Sequence, residues 1–136
     1  MKIELTVDKT IQDVQQAFHE VFPYLRLMFF KKKHEAYEGN AAKDMIEDTS
    51  VKLGSLEKKP HSGVLYLEAN MPTWQVERLF EEEFGLHVQV FRKSKNLWLQ
   101  TSRTDDLTLE MQNAKGRASE FVEPFPEDPI DIREQE

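Results

Sequence analysis

The chain has no cysteine. That excludes a disulfide framework, thiol catalysis and thiolate metal sites, and it fits a reducing compartment. Glycine is scarce: five residues, at positions 39, 54, 63, 85 and 116, too scattered for a phosphate-cradling loop, a dinucleotide fingerprint or a nucleophile elbow. No apolar run approaches the roughly 18 residues of a membrane helix. The opening MKIELTVDKT lacks the apolar core of a secretory signal. The four histidines, His19, His34, His61 and His87, show no HxH or HExxH spacing, so neither a metal centre nor a cofactor is expected. These absences lead to the expectation of a soluble, cytoplasmic protein with no membrane partner.

Positive charge is also in deficit, and unevenly. Of the formal net charge of −7 over 136 residues, −6 falls between positions 120 and 136, where seven acids face one arginine. That stretch also holds three of the six prolines, so residues 120–136 read as an extended acidic tail. Residues 1–119 are nearly neutral and long enough to bury a core without staples. They read as a single α+β domain.

Within the body the same pattern occurs twice, over residues 2–33 and 64–95. A shift of 62 places Ile3 on Leu65, Phe18 on Phe80 and Phe22 on Phe84; a shift of 61 places Leu25 on Leu86 and Phe30 on Phe91. Each copy reads as β-α-β. KIELTV alternates as a half-buried strand does. Thr10 and Asp13 then open a helix whose apolar stripe runs from Ile11 to Phe22. Pro23 stops it, and Leu25, Leu27 and Phe29 alternate again. In the second copy Pro72 and Thr73 open the helix, Gly85 closes it, and LHVQVF returns. KSKN then predicts a hairpin into a fifth strand, LWLQTS, and DDLTLEMQNAKG a capped helix. Two such units predict a ferredoxin-like antiparallel sheet with an extra edge strand and the helices mainly on one face, with parallel pairing inside each unit as the alternative. Residues 35–62 are expected to form a short helix at AAKDMIED and a turn or strand at SVKLGSLEKK.

The stretch FGLHVQVFRKSKNLWLQTSRTDDLTLEMQN resembles a family of small uncharacterised bacterial proteins with the pattern FGLxVQVFRKSxNxWLxT followed by DDxTLExQN. The resemblance implies that strand, hairpin, strand and capped helix travel as a unit; it implies no activity.

The densest acids of the body are Asp105 and Asp106, with Glu110 a turn later. They are expected to cap the last helix rather than hold Mg²⁺ or share a proton. Glu81, Glu82 and Glu83 read as a solvated face. Alternation leaves Met28, Phe30, Tyr66, Phe91 and Trp98 on the side of the sheet away from the helices, too many large apolar groups for a bare face. The expected cover is protein, either a second copy of the chain or the chain itself, which makes this a non-catalytic binding module and a homo-oligomer. A small ligand, with an enzyme's pocket near His87 or Asp105, and single-stranded nucleic acid are the alternatives. Nucleic acid is the least favoured, because the body carries no net positive charge. The basic groups Lys31-Lys32-Lys33 and Arg92-Lys93-Lys95 are expected to leave the sheet at one end, as separate patches that discourage edge pairing.

Overall fold

The computed structural model describes residues 1–32, 42–57, 60 and 62–121. Lys33, His34, His61 and the acidic tail past Phe121 lie outside the described residues. The elements run β1 (Lys2–Leu5), α1 (Ile11–Val21), β2 (Leu25–Phe30), β3 (Gly63–Tyr66), α2 (Thr73–Phe84), β4 (His87–Ser94), β5 (Leu97–Gln100) and α3 (Leu109–Ala118). This is an α+β arrangement. Between β2 and β3 the described residues form two 3-10 turns, Ala42–Asp44 and Leu53–Ser55, where a short helix and a turn or strand were expected.

Local chemistry accounts for the helix boundaries. The Thr10 hydroxyl accepts from the Asp13 N–H while the Asp13 carboxylate accepts from the Thr10 N–H, a reciprocal capping box. Gly85 ends α2 in the left-handed region, at φ 65°, a conformation that disfavours a side chain. The stripes of both helices face one core, where Val14 and Phe18 of α1 meet Val76, Phe80 and Phe84 of α2 with Leu5, Leu27, Phe29 and Val88 from the strands. Phe29 and Phe80 pack edge to face, with ring centroids 6.4 Å apart.

The strand pairings differ from the ferredoxin-like expectation. β1 pairs with β3, as that arrangement requires, but β2 pairs directly with β4, and β5 extends β4. Among the described residues, two small antiparallel sheets replace one four-stranded sheet. Because β2 and β4 are antiparallel, with Leu25 opposite Arg92 and Phe30 opposite His87, the basic groups that follow or end these strands lie at opposite ends of the pair. The expected placement at one end is corrected: it assumed that β2 and β4 run the same way.

The register carries more information than the order. Ile3 lies opposite Leu65, and Met28 lies opposite Gln89; in each case a residue faces the one that the shift of 62 or 61 sets against it. Antiparallel pairing of two similar segments about such a point is what a local two-fold axis generates. The correspondence extends past the strands. Ile11 N–H donates to Val51 O (3.0 Å) as Thr73 N–H does to Leu107 O (2.9 Å), and Gln12 N–H to Thr49 O (2.9 Å) as Trp74 N–H to Asp105 O (3.0 Å). Leu53 N–H reaches Lys9 O (2.8 Å) as Leu109 N–H reaches Met71 O (3.0 Å), and Gly54 N–H reaches Val7 O (3.1 Å) as Glu110 N–H reaches Ala69 O (2.9 Å). Phe30 bridges Met45 where Phe91 pairs with Gln100. The segments around 49–54 and 105–110 therefore do the same work. They satisfy the first N–H groups of α1 and α2, which a helix cannot satisfy itself.

Candidate functional site

The five residues expected on a shared apolar face occupy three different environments. Phe30 and Phe91 are buried, 3 % and 8 % exposed, and their rings stack at 6.4 Å with 16° between planes. The chain's own Met45 segment adds alongside β2 next to Phe30, through Lys31 N–H to Asp44 O and Ile46 N–H to Phe29 O, both 2.9 Å. Met28 is half-buried and accepts a contact from Gln15 Nε2 at 3.7 Å. Trp98, also half-buried, lies under the Arg26 guanidinium, 4.2 Å from its ring centroid, with the His19 ring edge-on at 6.3 Å. Tyr66 stands apart in the other sheet, 65 % exposed.

Around Tyr66 the outer side of the β1–β3 sheet is uncovered among the described residues. Lys2 faces Tyr66 and Glu4 faces Val64 across the ladder, and all four point away from the core while Ile3, Leu5 and Leu65 point into it. Val64 is 40 % exposed. Lys2 Nζ lies 3.6 Å from Glu4 Oε1, with both side chains more than half exposed, so this ion pair contributes little to stability.

The acids are arranged differently from expectation. Asp106 is exposed, whereas Asp105 is 1 % exposed, and the hydroxyl that caps α3 belongs to Thr108, accepting from Met111 N–H at 3.2 Å. Thr108 competes successfully because it directly precedes the first helical residue. A second buried acid, Glu77, was not foreseen. It is 6 % exposed, and its Oε2 accepts from Gln89 Nε2 and from Val90 N–H, each at 2.9 Å. Burial pushes its carboxyl up to about 8; the Val90 N–H opposes that rise, and the nearby Asp105 adds to it. The available signal was phase: Thr73, Val76, Glu77 and Phe80 share the buried face of α2. The repeat offered a second clue, since Glu77 replaces Gln15, which bonds to Leu27 O (2.9 Å) on β2.

Other polar side chains are also committed internally. Arg92 Nη1 donates to Gln112 Oε1 at 2.8 Å, and Lys93 Nζ lies 2.7 Å from Glu120, the first acid of the tail. His87 Nδ1 pairs with Glu81 of α2, so Glu81 is not simply a solvated acid. Among the described residues no group of three His, Asp or Glu side chains is placed to hold a metal ion, and no helix is long and apolar enough to cross a membrane.

No protein-family model, curated protein or solved structure matches this chain. The functional reading therefore rests on the geometry.

Proposed function

We propose that the protein is a non-catalytic binding module that works through protein–protein contact, with self-association as its basic form. The observation that carries this reading is the bare outer side of the β1–β3 sheet, where Tyr66 and Val64 are exposed next to an ion pair that is easily exchanged. Charge favours a protein over a nucleic acid as the partner: Arg92 and Lys93 are tied to Gln112 and Glu120, and the basic groups lie at opposite ends of the β2–β4 pair. The recurring backbone bonds support a second element of the proposal, that the two β-α-β units are copies of one ancestral segment and that the chain is itself a fused pair.

Sedimentation of the full chain across a wide concentration range tests the reading. A reversible monomer–dimer equilibrium is expected, and a strict monomer at millimolar concentration would remove its basis.

Catalysis at the paired acids is favoured by one observation, the carboxyl of Glu77 held neutral by burial beside Asp105. A raised carboxyl is what a general acid needs. Both side chains are shut away from solvent, and this reading ranks second for that reason.

A further inference from the structure

We infer that the self-association surface is the free edge of β1, which takes β1 of a second copy in antiparallel register with Ile3 opposite Ile3. This rests on the self-association reading above: it gives the sheet edge to the second copy and leaves Tyr66 and Val64 on the outer side of the enlarged sheet.

The ladder determines which backbone groups face outward. Leu67 N–H donates to Met1 O at 2.8 Å, and the Met1 amine donates back to Leu67 O. Met1 and Leu67 are therefore a hydrogen-bonded pair, and by alternation so are Ile3 and Leu65, and Leu5 and Gly63. The N–H and C=O groups of Lys2 and Glu4 point to the opposite side, along the edge that β3 does not cover. Glu4 O accepts Lys9 Nζ at 2.6 Å, which confirms the direction: a flexible ammonium occupies the place of a strand N–H.

That edge opens onto a groove. A cavity of about 320 Å³ lies between β1 and α1, lined by Lys2, Ile3, Glu4, Lys9, Val14 and Ala17 among others. The small Ala17 leaves this space, whereas Leu79, its counterpart on α2, packs against the core. Strand edges of this kind are the usual template for an added strand.

Charge selects the occupant. With Ile3 on the two-fold axis, Lys2 of each copy lies opposite Glu4 of the other, and the two outward-facing residues exchange N–H···O bonds in both directions. Opposite charges directly across a ladder stabilise it, and like charges oppose it, so registers that set Lys2 against Lys2 or Glu4 against Glu4 are disfavoured. A single Lys-Ile-Glu segment is thus complementary to itself about its centre, as an isologous interface requires. Lys2 exchanges its weak intrachain partner Glu4 for the same residue of the partner copy, and Lys9 releases the Glu4 carbonyl. The result is a four-stranded sheet in the order β3, β1, β1, β3.

The test is sedimentation equilibrium of the full chain and four variants, with far-UV circular dichroism confirming the fold of each. Lys2→Glu and Glu4→Lys alone each raise the dimer dissociation constant at least tenfold. The double exchange Lys2→Glu with Glu4→Lys restores it to near the original value. Ala17→Leu, which copies the residue α2 already carries, fills the groove and abolishes the dimer. A dimer indifferent to all four variants overturns the β1 edge as the interface and leaves the protein-contact reading standing. A wild-type chain that stays monomeric at millimolar concentration overturns both.

Discussion

Glu77 shows how much a single residue's environment governs the chemistry of this fold. Its carboxyl is buried, and the two groups donating to its Oε2 do not offset the loss of water. The folded-state value of about 8 lies above the ordinary glutamate value of 4.5. Between those limits the folded chain holds a proton that the unfolded chain has released. The stabilising contribution is therefore fully present below the unfolded value and is lost as pH rises through the folded one, on the order of 1 kcal/mol per pH unit. Glu77→Gln keeps an oxygen for both donors and removes the titration. Urea unfolding at about pH 5 and about pH 9 should show the wild type losing much more stability than the variant; parallel losses would mean that Glu77 does not titrate in this window. Single residues were the hardest scale to read from sequence. Glu77 sits among the acids of a charged helix: its phase with Thr73 and Phe80 separates it from Glu82 and Glu83, but Glu81, one turn on, shares that phase and is only half-buried.

At the scale of elements the sequence was more legible, because periodicity and caps are local. The Thr10–Asp13 box, the Gly85 terminator and the alternation of β2 and β4 reflect forces acting within a few residues, and each lies where the pattern puts it. The counterpart relation between 49–54 and 105–110 was not legible. Those segments share little beyond Leu53 and Leu109, both fully buried, and they follow β2 and β4 at different distances. Backbone hydrogen bonds create their equivalence, and backbone bonds leave no compositional trace. Close approach is similarly silent in sequence. Gly116 of α3 lies so near β2 that a Cβ there would sit 2.7 Å from Tyr24 Cβ and 3.0 Å from Tyr24 O. Gly116→Ala should therefore lower stability by roughly 1–3 kcal/mol, as overpacking does, despite alanine's better helix propensity. Chemical denaturation measures it, and a stabilised variant would show that α3 is not seated on β2 in this way.

For the whole molecule, the recurring apolar phase was visible in sequence but the pairing of the strands was not. Two β-α-β units are compatible with a ferredoxin-like sheet or with the interlocked pairs found here, and apolar phase alone does not choose, since Leu25, Leu27 and Phe29 face a core in either case. Paired strands with counterparts opposite one another account for the register, for the recurring caps of α1 and α2, and for the separation of the basic groups. They also determine the surface. With β2 and β4 joined, Phe30 and Phe91 are enclosed, and the exposed side is that of β1–β3, where Tyr66 and Val64 stand beside Lys2 and Glu4. Interlocking of the two halves is therefore the claim on which the functional reading depends. Cross-strand nuclear Overhauser contacts in solution test it most directly. Contacts between β2 and β4 in the register that sets Met28 opposite Gln89, together with β1–β3 contacts centred on Ile3 and Leu65, are the expected result; contacts joining β2 to β3 instead would contradict it.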